Sequence, residues 1–387
     1  MIMAVRRYFL VKILFIHNTA MEYRKPFFKK LSKIYDINFV FTHTHASKDI
    51  YSLEISNEID GMDGVNYKIL KNYLGIAWGV LKESMADYQV IIGGNWDNVP
   101  ELVETLIFFT ISKIRRKKYV LWSEEWGWEA ISFKKKLIMP IIKLLVKKSD
   151  AIIVPGTKHK EYFVSLGAIS QKVFIMPNAS NISYNEKNDD ISRIKEENGL
   201  INKKIILYVG RLIKRKGIEY LIQAFCSLKN DMNDTVLMII GEGECKKQLE
   251  VLTKELNIKN EVYFLGNIQN EKLPSYYSLA DICVIPSITL DIGDPWVFVL
   301  NEAMYFGKPV IATDAVGAAY DMIINGKNGF IVHEKDSESL YKSMRDILSN
   351  HELKMKMGNK SKEIINENFR YKNMVDGFKK TINYLIS

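Results

Sequence analysis

Two acids, Asp294 and Glu302, stand eight positions apart in the stretch DPWVFVLNEAMYFGKPVIAT. On one helix their Cα atoms would lie roughly 12 Å apart. Paired glycosidase carboxylates are closer, at about 5 to 9.5 Å, so a hydrolytic acid/base pair is a poor fit. Gripping two separate hydroxyl-bearing parts of one long ligand fits better. A capping Asp followed by a solvated helical Glu would leave the same trace in the sequence. The second set of candidates is basic. Beyond the apolar run Ile205–Val209, the segment GRLIKRKG places Arg211, Lys214, Arg215 and Lys216 within six residues. A guanidinium offers a planar fork and an ammonium a mobile point charge, which together suit a diphosphate. The alternative is a solvated charge run.

These side chains need elements to hold them. Ile282 to Ile285 reads as a buried strand, Asp294-Pro295 as a helix start, Gly307 and Pro309 as the stop, and Val310 to Ala312 as the next strand. A strand–loop–helix–strand unit points free N–H groups and a positive dipole at the space above the sheet, which suits a phosphate. Leu237–Ile240 is a further strand, and Gly241-Glu242-Gly243-Glu244 after it is either a tight turn needing positive φ or a close backbone approach to a ligand.

Strand-like runs alternate with helical patterns along the whole chain, which implies parallel sheets. In the first half the strands read as Ile13–His17, Ile37–Thr42, Val90–Gly93, Tyr119–Trp122 and Ala151–Pro155. Ligands in such folds bind beyond the carboxyl ends of the strands. That draws attention to His17-Asn18, to Gly93-Gly94-Asn95 and to Ser123-Glu124-Glu125-Trp126. Glu124 and Glu125, followed by Trp126 and Trp128, could frame a ligand's hydroxyls and its apolar face; an exposed loop with surface carboxylates reads the same way.

At 387 residues the chain can fill two cores. Residues 1–178 hold 26 Lys and Arg against 17 Asp and Glu, so the whole net charge of +9 sits in the first half and points to an anionic partner or surface there. No recognised nucleic-acid motif accompanies it. In the helical segment from Phe133 to Lys148, Lys136, Lys143 and Lys147 form one stripe, with Leu137, Ile141, Ile142 and Leu145 roughly opposite and a kink expected at Pro140. Such a helix suits an anionic membrane surface, or an ordinary domain helix packed on its sheet. No stretch reads as a transmembrane span, and the N-terminus reads as a first buried strand rather than a signal peptide. The three cysteines match no disulfide or metal pattern, so the expected location is a reducing cytoplasm, with the inner face of the membrane as the peripheral alternative.

The acidic-x7-acidic segment resembles the signature of retaining glycosyltransferases of the GT-B fold, family 4 (glycosyl transferases group 1). Members typically read E-G-F-G-L-V-x-L-E-A-M-A-x-G-x-P-V-I-A-T. Here Asp294 stands at the first acid and Val297 where a glycine is usual. GRLIKRKG matches the family's G-R-x-x-x-x-K-G, VFIMPN (173–178) its strand into the hinge, and Gly317 with Asn325–Phe330 its closing loops. The usual Gly pair after the first strand is replaced by Asn18-Thr19-Ala20, and no catalytic His carries over. The resemblance is strong from Gly210 to Phe330 and loose before Val154.

What it implies is a GT-B architecture of two Rossmann-like doubly wound domains facing a cleft. Residues 1–178 would bind the acceptor, 179–202 would link, 203–368 would bind the nucleotide sugar, and 369–387 would form a helix packing back on the first domain. The implied catalytic residues are Arg211 and Lys216 on the donor diphosphate, Asp294 on the donor sugar and Glu302 on the ribose. Donor binding would also draw on Gly210, Gly241, Gly243, Asn267, Ile268, Trp296, Val297 and Phe298. His17, Asn18, Asn95, Glu124 and Glu125 are the acceptor candidates. The reaction would move a sugar from a nucleotide diphosphate to a saccharide or lipid-linked saccharide in surface polysaccharide or glycan synthesis, with retention and with neither metal nor cofactor. A GT-B nucleotide-sugar epimerase or hydrolase, and a binding protein without catalysis, remain as alternatives.

Overall fold

Continuous apolar runs of four to six residues recur along the chain, as expected for strands covered on both faces. In the computed structural model, which describes residues 11–43, 59–127, 133–182, 189–197, 199–290 and 292–387, these runs build two parallel sheets. The first ten residues, Trp128 and part of the linker lie outside the described residues. The first sheet contains β1 (Lys12–His17), β2 (Asp36–Phe41), β3 (Tyr67–Ile69), β4 (Val90–Gly93), β5 (Lys118–Trp122), β6 (Ala151–Val154) and β7 (Val173–Ile175), in the order β3-β2-β1-β4-β5-β6-β7. Its helices are α1 (Lys25–Ser32), α2 (Gly79–Met85), α3 (Val99–Ile114), α4 (Phe133–Lys148) and α5 (Thr157–Ser165). After α6 (Asp189–Glu197) comes the second sheet of β8 (Lys204–Val209), β9 (Thr235–Ile240), β10 (Val262–Gly266), β11 (Ile282–Ile285), β12 (Val310–Thr313) and β13 (Gly329–Val332). Its order is β10-β9-β8-β11-β12-β13. The helices of this half are α7 (Ile218–Asp231), α8 (Lys246–Glu255), α9 (Leu273–Leu279), α10 (Phe298–Tyr305), α11 (Ala319–Met322), α12 (Ser337–Ser349), α13 (His351–Asn368) and α14 (Tyr371–Ile386).

Among the described residues every pairing between these strands is parallel, and each sheet changes winding direction once. The switch lies between β1 and β4 in the first sheet and between β8 and β11 in the second. Loops diverge at such points and leave a crevice at the strands' carboxyl ends. The parallel sheets are those that the strand pattern implied, and their arrangement is the GT-B architecture that the resemblance implied.

The chain returns at its end to the first sheet. α14 packs on α1, β6 and β7, burying Met374, Phe378 and Ile382 among Phe15, Phe27, Phe28 and Trp122. Each such side chain contributes about 1.5 to 3 kcal/mol. The return ties the second half of the sequence to the first.

One local expectation is overturned. The helix after β11 does not start at Asp294-Pro295; α10 starts at Phe298, and Val297 before it is extended with φ −112°. The reason is tertiary. Asp294 forms a parallel bridge with Val316, its N–H donating to the Ala315 carbonyl at 2.8 Å and its carbonyl accepting from Gly317 N–H at 2.9 Å. A residue whose backbone is engaged in this way does not cap a helix, so the 12 Å separation argued from helical rise no longer applies.

Candidate active site

The basic cluster is assembled by backbone that only glycine permits. β8 runs into Gly210, whose N–H donates to the Ile240 carbonyl at 2.9 Å, and Leu212 N–H donates to the Glu242 carbonyl at 2.8 Å. Gly241 has φ +135°, and a Cβ there would lie 2.0 Å from the Gly210 carbonyl oxygen; at Gly243 it would lie 2.3 Å from that of Leu212. The Gly241-x-Gly243 segment is thus a turn pressed against the end of β8. It holds the loop carrying Arg211, Lys214, Arg215 and Lys216 over the switch point.

Lys216 and Arg215 then meet Asp294. Lys216 Nζ forms a close ion pair with Asp294 Oδ2, Arg215 Nη1 donates to Oδ1 at 3.1 Å, and Ser287 Oγ donates to Oδ2 at 2.9 Å. Arg215 also donates to the Gly293 carbonyl at 2.9 Å. Burial alone would raise the Asp294 carboxyl, but Lys216 and then Arg215 outweigh it and hold the group below its usual range. Arg211 stays exposed beside this cluster, its side chain without a hydrogen-bond or ion-pair partner among the described residues. A cationic seat built around one fixed carboxylate is the result.

Glu302 sits apart from the cations. It is half-buried and accepts from Tyr277 OH at 2.6 Å and from Ser180 Oγ, in the linker, at 2.9 Å. Burial outweighs those two bonds and raises its carboxyl above the usual value. Phe298, one turn earlier, lies against Tyr23 of the first half, ring centroids 4.1 Å apart. Trp296 and Val297 are buried, and the Trp296 indole N–H is held by Asn301 at 3.0 Å, so this ring serves the domain junction rather than the crevice surface. Asn267 is exposed and Ile268 half-buried just beyond β10.

All five acceptor candidates line one cavity of about 910 Å³ at the carboxyl ends of β1, β4 and β5. His17 is kept neutral, its pKa lowered to about 3 by burial and then by the Arg24 guanidinium. Its Nδ1 accepts the Thr19 N–H at 3.3 Å, which leaves the hydrogen on Nε2. Asn18 accepts from the same N–H at 2.8 Å. Glu124 pairs with the buried Arg24 and accepts from Asn178 Nδ2 at 3.0 Å, so one face of the cavity is braced against the hinge. Arg24 lies over the Trp122 ring, 4.9 Å from its centroid. Glu125 stands beside Ser123 on the same wall. The cavity ends at Ile292 and Pro295, which flank the Asp294 seat.

The two halves are also locked nearby. The Asp321 carboxylate accepts the Thr157 N–H at 2.9 Å, capping the first turn of α5 from the other domain. Trp126 packs onto Gly293, where a Cβ would come within 2.5 Å of its ring. His159 lies between Trp126 and Trp296, with its pKa lowered to about 3 by burial.

Sequence reasoning missed Arg215 as a partner of Asp294, and missed Arg24, Asp97, Glu101 and Glu104 in the cavity. Arg215 was inside the basic run already singled out. Asn98 followed by Glu101 is a readable helix start, and the structure shows Asn98 Oδ1 accepting the Glu101 N–H at 2.9 Å. Arg24 had no local signal.

Residues 190–364, just under half of the chain, match the family model described as glycosyl transferases group 1. An uncharacterized glycosyltransferase of Methanocaldococcus jannaschii is 28% identical over 73% of this chain and 73% of its own. The N-acetylgalactosamine-N,N'-diacetylbacillosaminyl-diphospho-undecaprenol 4-alpha-N-acetylgalactosaminyltransferase of Campylobacter jejuni is 29% identical over 57% of each chain. Among solved structures, Anabaena Alr3699/HepE in complex with UDP superposes with a TM-score of 0.76 at 17% identity, covering 96% of this chain and 100% of that one.

Proposed function

We propose that this chain, a glycosyltransferase of the GT-B fold, moves a sugar from a nucleotide-diphosphate donor on the second sheet to an acceptor in the cavity of the first. The observation that carries the reading is the meeting of the two sites: the cavity ends on the residues flanking Asp294, and Asp294 holds Lys216 and Arg215. The acceptor hydroxyl adds at the anomeric carbon, the bond from that carbon to the diphosphate oxygen breaks, and the nucleotide diphosphate leaves with the electron pair and takes up the proton that the hydroxyl gives up. Lys216, Arg215 and Arg211 stabilise the charge growing on the leaving group, in a site where the cations are already placed. Glu302 takes the ribose, and Asp294 aligns the cations while remaining in reach of the sugar's hydroxyls. The motif match supports retention of configuration, family 4 membership and action without metal or cofactor. A saccharide or lipid-linked saccharide acceptor, in surface polysaccharide or glycan synthesis, agrees with what the Campylobacter relative acts on. Donor consumption with and without acceptor extracts, in wild type and in folded Arg211→Ala and Lys216→Ala variants, tests this. Loss of a transition-state donor should raise the barrier by about 2 to 4 kcal/mol. Wild-type turnover in both variants, or donor loss indifferent to acceptor, overturns it.

The basic first half is proposed as the side facing an anionic bilayer at the cytoplasmic surface. Along α4 the exposed lysines 136, 143 and 147 run beside Leu137, Ile141 and Leu144, of which Leu137 is 65% exposed. The buried stripe is Ile142, Leu145 and Val146, so Leu137 and Ile141 do not join the packed face that their spacing suggested. Among the described residues no helix is long and apolar enough to cross a membrane. Each cation near an anionic bilayer contributes about 1 kcal/mol and is screened by salt. Sedimentation with phosphatidylserine liposomes should show binding at low salt that Lys→Ser changes at the three positions weaken; wild type that ignores such liposomes sinks the idea.

A further inference from the structure

Arg24, a few residues after β1, stands in the cavity wall with only 3% of its side chain exposed. Its guanidinium lies over the Trp122 ring and forks to two partners. Nη2 pairs with Glu124 Oε1, and Nη1 donates to Asn178 Oδ1 at 2.7 Å. Asn178 Nδ2 donates to the same Glu124 oxygen at 3.0 Å. One oxygen of Glu124 is thus held by two donors, while Oε2 has no partner among the described residues. Glu124 lines the cavity with 36% of its side chain exposed, which leaves Oε2 for a ligand.

Asn178 is fully buried and is also held from the other half of the molecule. Its carbonyl accepts from Asn301 Nδ2 at 2.9 Å, and Asn301 Oδ1 accepts the Trp296 indole N–H at 3.0 Å. Asn301 stands on α10 next to Glu302, and Ser180, two residues after Asn178, donates to that carboxylate at 2.9 Å. Next to Arg24, the Tyr23 ring rests on Phe298 of the same helix. A chain of hydrogen bonds therefore runs from Glu124 at the cavity, through Arg24 and Asn178, to the helix that carries Glu302. Bracing alone does not call for it. A buried ion pair is weak evidence of stability, because apolar side chains of the same size hold two elements together as well. What the polar chain adds is orientation: a guanidinium fork and an amide fix a carboxylate at one angle.

We propose that Arg24 is a positioning residue that couples the two substrates: it orients Glu124 toward an acceptor hydroxyl, and through Asn178 it ties that carboxylate to α10 on the donor side. The inference rests on the reading of the two sites as those of a glycosyltransferase. Glu124 Oε2 accepts the hydroxyl, and Arg24 acts through it. A nucleotide diphosphate whose ribose meets Glu302 settles α10, and α10 settles Asn178 through Asn301 and the Ser180 bond. Asn178 and Arg24 then hold the carboxylate still, so an acceptor that arrives second has less motion to freeze out. By linkage, an acceptor already in the cavity tightens the nucleotide by the same factor.

The test is amide hydrogen exchange on the full chain, with and without saturating UDP or GDP, after calorimetry has shown which of the two binds. In wild type the nucleotide should slow exchange at residues 122–125 and 178–180 about fivefold, the low end of typical coupling between sites. Arg24→Gln should leave nucleotide affinity within about twofold, because Arg24 stands outside the nucleotide's seat. It should keep the slowing around Glu302 and lose it at 122–125. Arg24→Lys keeps the charge without the fork, so it should also lose most of that slowing, and it carries the test if Arg24→Gln does not fold. In donor consumption with acceptor extract, each Arg24 variant should need about tenfold more extract for half-maximal transfer. Adding Glu124→Gln to Arg24→Gln should cost little more, since both act through one carboxylate. Nucleotide that binds wild type without slowing 122–125, or slowing there that survives in the folded Arg24 variants, overturns the coupling and leaves the transferase reading standing. If neither UDP nor GDP binds, the transferase reading fails and the coupling falls with it.

Discussion

Replacing Asp294 by Asn removes the one carboxylate among the described residues that neutralises Lys216 and Arg215. The side chains of Asp294, Lys216 and Arg215 are 5%, 14% and 20% exposed, so the charges left behind are only partly solvated. Breaking a buried ion pair from one side typically costs about 3 to 5 kcal/mol. The cations here keep some water, and the amide keeps an oxygen for them, which brings the expected loss to about 2 to 3 kcal/mol. At about 2 to 4 °C per kcal/mol for a domain of this size, Tm should fall by about 4 to 12 °C. The pH dependence has a definite sign. Asp294 is held below its ordinary value, so its contribution is complete above the unfolded carboxylate pKa of about 3.9 and is lost as the pH falls through the folded value. The gap between wild type and variant should be constant from pH 5 to 8 and close in acid. A diphosphate restores the missing negative charge, so saturating UDP or GDP should raise the variant's Tm more than that of wild type. Thermal unfolding from pH 3 to 8, with and without nucleotide, measures all of this. A variant that melts with wild type at pH 7, or a gap that widens as the pH falls from 5 to 3, would refute the account of Asp294 as the anchor of the cations.

Glu302→Gln should weaken donor and free nucleotide alike, since the proposed ligand of Glu302 is the ribose common to both; titration that finds unchanged nucleotide affinity contradicts the assignment. Gly241→Ala and Gly243→Ala should each destabilise by about 2 to 3 kcal/mol or fail to fold, because the new Cβ meets backbone oxygen at 2.0 and 2.3 Å, and a wild-type denaturant midpoint in either would refute the argument from close approach. Glu101 should make wild type lose stability as the pH rises from 5 to 8: its folded pKa of about 7 lies above the unfolded value, so the relief provided by protonation is complete below about 4.5 and disappears through 7. Glu101→Gln should flatten that slope by about 2 kcal/mol once solvent in the cavity is allowed for, and an unchanged slope would show that Glu101 does not carry it.

Much of this molecule is decided by neighbours in sequence. Parallel strands buried on both faces read as apolar runs wherever they end up in the sheet, so β1, β4, β5, β8, β9, β11 and β12 could be placed without coordinates. The loops that carry chemistry follow from the same runs, because ligands gather beyond strand ends; that is why His17, Asn18, Asn95, Glu124 and Glu125 were singled out and why the structure finds all five around one cavity. The Gly241-x-Gly243 turn and the cationic run after β8 were equally local. Pairing across the chain was not. Asp294 meets Lys216 and Arg215 from 78 and 79 positions away, and the bridge to Val316 that moves the helix start to Phe298 comes from the other side of β12. Arg24 reaches Glu124 and Asn178 across 100 and 154 positions. Glu101 owes its raised pKa to enclosure by a cavity that spans β1 to β5. Backbone preference and hydrophobic period act within a few residues and leave their mark in composition. A charge's partner and its solvation depend on which strand ends the winding of the sheet brings together, and no window of sequence contains that.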